Sequence, residues 1–570
     1  MVFGVVLSLR ERLCYTYVPA DVRKAWRFLQ GQLVEEEEFA LEGISQLGGI
    51  DCFGQLQYVP EGLKCLAFGD VFNDDSLEHV RLPEELESLA FGSFFDRSLL
   101  RVTLPSSLQS LSFGRRFNQS LLGVVLPHGL KHLSFGCEFD QSLKGVVFPT
   151  ALETLTFGIS FNQTLKDVRL PSGLQSLTLG NDFDQSLEEV LLPVGLKTLT
   201  LGNDFNHGLE EVNWPHLEHL MLGSDFNQPL QQVQLPELRS LSFGNDFNQS
   251  LVDVRLPESL QELHLGQDFD QSLVDVELPP RLQVLSFAHA FNKSLGKVKL
   301  PLELRSLSFG DIFNQSMEQV RLPDGLRSLS FGDWFNQSLK RLRWPQKLQR
   351  LSLGHMFRQS LEELDLPDLC SLTGGDHLFR HLKGSDLPEN LKTLTLGRDF
   401  NRDLKGVELP RHLEDLTFGM WFNQRSMNLP AKLRNLTFGF YFNQALEDIE
   451  FPSSLETLTF GCLFNQSLKE VVLPKSLLSL TFGTHFNQEL GLLPGRLESL
   501  SFGQKFNQEL AHLPISLRSL DFGTDFNHSL RNLELVNLEK LVLGDGFAES
   551  LDLDLPKLQQ LCHRGLFVAR

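Results

Sequence analysis

Residues 108–127 read Leu108-Gln-Ser-Leu111-Ser-Phe113-Gly114-Arg-Arg-Phe117-Asn118-Gln119-Ser120-Leu121-Leu-Gly-Val124-Val-Leu126-Pro127, and this stretch decides the fold. Its two halves share a spacing, LxxLxF at 108, 111 and 113 and LxxVxL at 121, 124 and 126. Each half ends in apolar residues two apart and then in a breaker, Gly114 or Pro127, which is the pattern of a short strand closed by a corner. So few apolar positions between breakers cannot make a helix of useful length. The expected coil turn runs strand, Gly corner, inward Phe-Asn, second strand, Pro corner.

The same unit recurs along most of the chain. The Phe ahead of this Asn position falls at Phe72, Phe95, Phe117, Phe139 and, in register, onward to Phe547, marking 23 units with a mean period near 21.6 residues. Prolines give an independent count, because 23 of 26, from Pro60 through Pro556, keep one place in the repeat. Period and unit fall in the leucine-rich class of solenoid repeats. The predicted fold is mostly β, a leucine-rich-repeat-like parallel β-solenoid of about 23 turns of about 22 residues, with two short strands per turn and a small, partly helical N-terminal cap. One unit alone buries too little apolar surface to offset the entropy of ordering it, so stacking must supply the rest.

Asn or Asp follows the key Phe in 20 of the 23 units, as 16 Asn and 4 Asp. A ligand site rarely needs so many copies. The structural reading is an inward side-chain ladder that bonds the backbone of the bend and stacks on its neighbour in the next turn. Gly ahead of it is expected to take positive φ at the corner. Asn118, Asn162, Asn248, Asn292, Asn314, Asn336, Asn435, Asn465 and Asn527 open N-x-S/T sequons, eight of them through the FNQS-type motif, so they read as by-products of the consensus.

Composition narrows the function. The chain has 570 residues, 47 Phe against 4 Tyr, and a formal charge of -21, which repels nucleic acid and anionic membrane surfaces. The seven cysteines are scattered, never as CxxC, and imply neither a disulfide framework nor a zinc site. The N-terminus lacks a basic region ahead of its short apolar run, and no long uncharged apolar stretch follows, so the expectation is an intracellular, cytoplasmic protein with no membrane partner.

The string LPxxLxxLxFGxxFNQSL resembles the FNIP repeat, a leucine-rich-repeat relative, and its LxxVxLPxxLxxLxFG portion is similar to BspA-type leucine-rich repeats. The resemblance spans residues 58–560 and implies an interaction scaffold; it carries no catalytic residue. Residues 1–57 are expected to form a non-repeat cap with one helix, whose Val22, Ala25, Trp26, Leu29 and Leu33 share a face. The segment VPADVRKAWRFL within it resembles the start of an F-box, a module joined to FNIP repeats in some proteins. Residues 561–570 read as a C-terminal tail, beyond a decaying last unit in which Val536 replaces Pro and Ala548 replaces Asn. Near 368–387 the repeat is irregular: the strand motif is expected to be lost and Gly374-Gly375 to shift the corner.

No phosphate loop, metal-ligand cluster or nucleophile elbow occurs, so no enzyme activity, cofactor, metal or catalytic residue is expected. The leading reading is a non-enzymatic, monomeric scaffold for an unknown protein partner. Two alternatives stand beside it: a substrate receptor of a ubiquitin ligase acting through the F-box-like segment, and an ice- or surface-templating solenoid acting through the exposed Ser or Thr of LxxLxF, Ser112, Thr156, Thr200, Ser308 and Thr481 among them. The candidate docking surface is a basic island in an acidic chain, Lys297, Lys299, Arg321, Lys340, Arg341 and Arg343, with Glu318 as the acid inside it and Asp275, Glu277, Glu362, Glu363 and Asp365 as borders. A second candidate is the irregular unit, where Arg358 and Arg380 replace Asn with His377 and His381 nearby, either an anion pocket or a hinge.

Overall fold

The computed structural model describes residues 46–50, 62–73, 77, 81–359, 366–375, 387–548, 555–563 and 566–569, apart from 215, 236 and 406. The coil is organised as two compact units, one over Val34–Leu348 and one containing Gln349–Arg570. In the first, β1 (Gln46–Ile50), β2 (Cys65–Phe68), β3 (Ser88–Ala90) and β4 (Ser110–Ser112) open a series of one strand per turn that runs to β13 (Ser306–Ser308) and β14 (Ser328–Ser330). The pairings are parallel, and from β2 onward they are in register, Ser306 opposite Ser328 and Leu307 opposite Leu329, for example, while β1 shifts register against β2 between Leu47 and Ile50. The second unit repeats the design from β15 (Arg350–Ser352), β16 (Ser371–Thr373) and β17 (Thr393–Thr395) to β25 (Gln560–His563). No α-helix occurs among the described residues.

Three tight turns complete a 22-residue coil turn, and they explain the LxxL-type spacing. Phe117 N–H donates to the Gly114 carbonyl at 3.4 Å, Val124 N–H to Leu121 at 3.0 Å, and Leu130 N–H to Pro127 at 3.1 Å. In each case the first and fourth residues of a β-turn point inward and the middle two face solvent. Leu108, Leu111, Phe117 and Leu121 are fully buried, as are their counterparts in turn after turn. Among the described residues positive φ falls in the Leu-x-x-Val turn, at Gly123 and Gly145 and, in later turns, at Asp167, Glu189, Asp253 and Asp275, with Gly62 as the exception outside it. The Gly of Gly-x-x-Phe serves a different purpose. A methyl group on Gly114 would lie 2.1 Å from the Gly92 carbonyl oxygen, so glycine is there to let successive backbones approach, and the expected positive φ is not its reason.

The core carries two files beside the strands, an outer one of Phe rings and an inner one of Phe or Leu. Phe113 and Phe117 stack at 3.8 Å within one turn, and each also stacks on its successor. The file beside the strand advances 5.5 Å from Phe113 to Phe135, whereas the outer file advances 6.1 Å from Phe117 to Phe139. The second unit repeats the difference, 5.6 Å for Phe482–Phe502 and 6.0 Å for Phe486–Phe506. Spacing therefore widens away from the strands, and each unit bends locally with its strand face on the inside. Tyr is scarce because a hydroxyl in this file would be buried without a partner.

The Asn column is a ladder, but half-buried instead of inward. Asn314 N–H donates to Asn292 Oδ1 at 3.0 Å, and Gln315 Nε2 donates to the same oxygen at 3.1 Å. Asp serves equally as the acceptor, since Asp96 Oδ1 takes Asn118 N–H at 3.0 Å and Gln119 Nε2 at 2.9 Å. The Ser of FNQS accepts the backbone N–H two residues on, as Ser120 Oγ does from Leu122 at 3.2 Å, which leads the chain into the next turn. The sequon motif is thus assembled from two structural bonds.

Several expectations change. Of the two strands foreseen per turn, only the LxxLxF strand forms among the described residues; the LxxVxL half is extended backbone without a ladder. Its Pro lacks a donor, a β-turn consumes its first residues, and spacing away from the strand face exceeds the ladder spacing of about 4.8 Å. The strand expected to be lost in the irregular unit is present: β16 pairs in register with β15 and β17, and Gly375 keeps the corner, 2.0 Å from the Gly354 oxygen by its notional methyl. What that turn lacks is the Phe or Leu after the strand, replaced by Gly374. The predicted helix of the cap lies outside the described residues, while Gln46–Ile50 within the cap form a strand parallel to β2. In the predicted tail, β26 (Leu566–Ala569) pairs antiparallel with β25.

Candidate protein-docking surface

Lys297, Lys299, Arg321, Lys340, Arg341 and Arg343 come together on three successive turns of the first unit, all exposed. The Leu-x-x-Val turns position them. Val298 N–H to Leu295, Val320 N–H to Met317 and Leu342 N–H to Leu339, at 3.0, 3.0 and 3.1 Å, hold the apolar pairs inward. That leaves Lys297, Lys340 and Arg341 at the solvent side of their turns, and Lys299, Arg321 and Arg343 one residue past the closing Val or Leu, facing out. Arg341 Nη1 lies 3.9 Å from Glu318 Oε2. Among the described residues the other five bases make no ion pair. Asp275 and Glu277 border the island as exposed acids, and Glu362, Glu363 and Asp365 lie outside the described residues.

The second candidate is not assembled on the described residues. Arg358 is exposed in the turn after β15, while His377, Arg380 and His381 lie outside the description. No group of three or more His, Cys, Asp or Glu among the described residues could hold a metal ion. No described helix is long and apolar enough to cross a membrane.

A charged column was missed in the sequence. The residue before the strand is in many turns a base or an acid, and opposite charges on successive turns pair: Lys64 with Glu87 at 2.9 Å, Lys131 with Glu153 at 3.8 Å, Lys197 with Glu218 at 3.5 Å, and Lys392 with Glu414 at 3.0 Å. The signal was available as the second residue of LxxLxF, read down the repeats in place of along them.

Twelve segments match the family model described as FNIP Repeat, running from residue 72 through 334 and from 380 through 525. This chain belongs to the FNIP-repeat family. The crystal structure of CroV588, described as a novel circular leucine-rich-repeat protein, is 38% identical over 90% of this chain and 80% of that one, with a TM-score of 0.54. YopM from Yersinia enterocolitica WA-314 is 17% identical over 92% of this chain and 99% of that one, TM-score 0.26. TLR13, solved in complex with ssRNA13, is 16% identical over 84% and 74%, TM-score 0.44. None of the curated proteins matches the chain.

Proposed function

We propose that this FNIP-repeat chain is a non-enzymatic protein-interaction scaffold that docks an acidic segment of a partner on the island of Lys297, Lys299, Arg321, Lys340, Arg341 and Arg343. The observation that carries the reading is the absence of internal compensation. In corresponding turns elsewhere, Lys144 pairs with Asp167 at 3.0 Å and Lys166 pairs with Glu189. On the island, five of six bases have no acid among the described residues, and stacking like charges on adjacent turns opposes folding. A partner's carboxylates would relieve that repulsion, and the acidic borders Asp275 and Glu277 would set register and turn away long polyanions.

The ligase-receptor alternative rests on residues 1–57, of which 46–50 are described. The templating alternative asks for a flat hydroxyl lattice, whereas the Ser and Thr of this coil line the inside of a bend. Replacing Lys299, Arg321 and Arg343 together by Ser tests the scaffold reading. Stability is expected to hold or rise, while affinity for a short Asp/Glu peptide falls and loses its dependence on ionic strength. Unchanged affinity in the triple variant would remove the island from consideration.

A further inference from the structure

Among the described residues, two bases of the charged column ahead of the strands stand outside its pairing. Bases in this column that stand beside an acid bind it: in addition to the pairs above, Arg239 contacts Glu218 at 3.3 Å, Arg434 contacts Glu456 at 3.3 Å and Arg518 contacts Glu539 at 2.7 Å. The geometry of the coil therefore sets a base and the group one turn away at ion-pair distance. Arg305 and Arg327 occupy this column on consecutive turns, ahead of β13 and β14, both exposed. Neither makes an ion pair among the described residues, and the turn before them carries neutral Gln283. Their backbones are locked together, with Arg327 N–H donating to the Arg305 carbonyl at 2.8 Å and Ser328 N–H to the same oxygen at 3.0 Å. The two arginine residues are thereby held on adjacent turns roughly 4.8 Å apart at the backbone, each followed in sequence by a Ser, Ser306 and Ser328, that pair in register.

We infer that Arg305 and Arg327 form a docking point on the strand face for a phosphorylated Ser or Thr in an extended segment of a protein partner. A phosphoryl dianion would stand where a Glu carboxylate stands in the paired turns. Its charge of about -1.5 to -2 matches two guanidinium groups better than one carboxylate does. Both bases are Arg, whose planar fork bonds phosphate oxygens bidentately, and the Ser hydroxyls supply further donors. Glu303 and Asp324, the nearest acids in sequence, sit in the Pro turns and pair with neither guanidinium among the described residues. A single phosphoryl group tolerates the acidic chain, whereas a nucleic acid would extend its charges over the five-turn run of Asp182, Asp204, Asp225, Asp246 and Asp268 in the same unit. The Pro301 and Pro323 turns separate this point in sequence from Lys299 and Arg321, and the inference does not rest on the basic island.

The test uses the full chain and fluorescence anisotropy with a degenerate pool of phosphoserine and phosphothreonine peptides, the same pool without phosphate, and a single-stranded RNA oligomer. The phosphorylated pool is expected to bind roughly tenfold tighter or better than the plain pool, and inorganic phosphate to compete. Arg305→Gln and Arg327→Gln, which place the residue already found at 261 and 283, are each expected to weaken binding about fivefold or more. Arg305→Glu rebuilds an ion pair with Arg327; it should abolish binding while leaving the melting temperature unchanged or higher. The Lys299, Arg321 and Arg343 triple variant should bind the phosphorylated pool as the parent does, which separates this site from the island. Equal binding of the two peptide pools, preference for RNA, or full binding by the folded Arg305→Glu chain would overturn the inference.

Discussion

The Asn column accounts for its own composition once its bonds are traced. The backbone N–H of the next turn takes only Oδ1 as its acceptor, so Asn and Asp are interchangeable for that bond, yet no two Asp occupy adjacent turns: Asp96, Asn118, Asp140, Asn162, Asp184 and Asn206 alternate. Neighbouring carboxylates would repel across one coil turn. Where the acceptor is Asp, the next turn can offer a base in place of Gln, as Lys293 does to Asp270 at 2.6 Å and His207 to Asp184 at 3.2 Å. Asn314→Ala leaves Asn336 N–H without the acceptor it holds at 3.0 Å and is expected to cost about 1–3 kcal/mol in chemical denaturation. Asn314→Asp, between Asn292 and Asn336, should cost about 1 kcal/mol or less, and Asn118→Asp, between Asp96 and Asp140, distinctly more. Equal costs for the two Asp variants would contradict the charge argument. Gln315→Ala removes one amide bond and should cost about 1 kcal/mol. The column's existence was legible as a repeated letter after Phe; its partner was not, because the bond reaches a residue one turn, not one position, away.

At the scale of the element, corners decide what the strands may do. Gly332→Ala places a methyl group 2.0 Å from the Gly310 oxygen, while Gly325→Ala meets nothing closer than 3.5 Å. The first is expected to destabilise by roughly 1–3 kcal/mol and the second to be near neutral, read from denaturation midpoints. Ala288 stands once in the Gly column, and the coil continues through it, with the strand before it paired in register on both sides. The Gly-x-x-Phe turns also carry Asp182, Asp204, Asp225, Asp246 and Asp268 in succession. Partial desolvation, then the charges of Asp225, Asp182 and Asp184, hold the Asp204 carboxyl above its ordinary range. A pKa raised by folding means the folded state binds the proton more tightly, so the penalty is complete at neutral pH and fades as pH falls through the raised value. Asp204→Asn should accordingly stabilise by a few tenths of a kcal/mol, roughly, at pH 7. That gain should fade as pH falls through the raised value and be gone below the ordinary carboxylate range, and thermal melts of both chains across this span check it. One strand per turn was misread as two because periodicity alone cannot distinguish a strand from a β-turn whose ends point inward.

For the molecule as a whole, stability resides in contacts between turns. A fragment such as residues 105–148, two units long, is expected to give a disordered far-UV spectrum while the intact chain shows strand, and a strand signal from the fragment would refute this. The sequence by itself determined the repeat, its length, its inward residues and its family, because Leu111, Phe113, Phe117 and Pro127 recur at fixed spacing and a fixed spacing has one way to stack. It also determined where basic residues cluster, since Lys297, Lys299 and Arg321 are close along the chain. Only the tertiary structure decided which columns pair across turns, that Gly114 is needed for close approach, and that β16 continues through the irregular unit. It also decided that Arg305 and Arg327 stand without an acid among the described residues, on a strand face where Lys131, Lys197 and Arg434 are neutralised. Those properties depend on which atoms meet across a separation of some 22 residues, a distance over which the linear pattern specifies register but not side-chain contact.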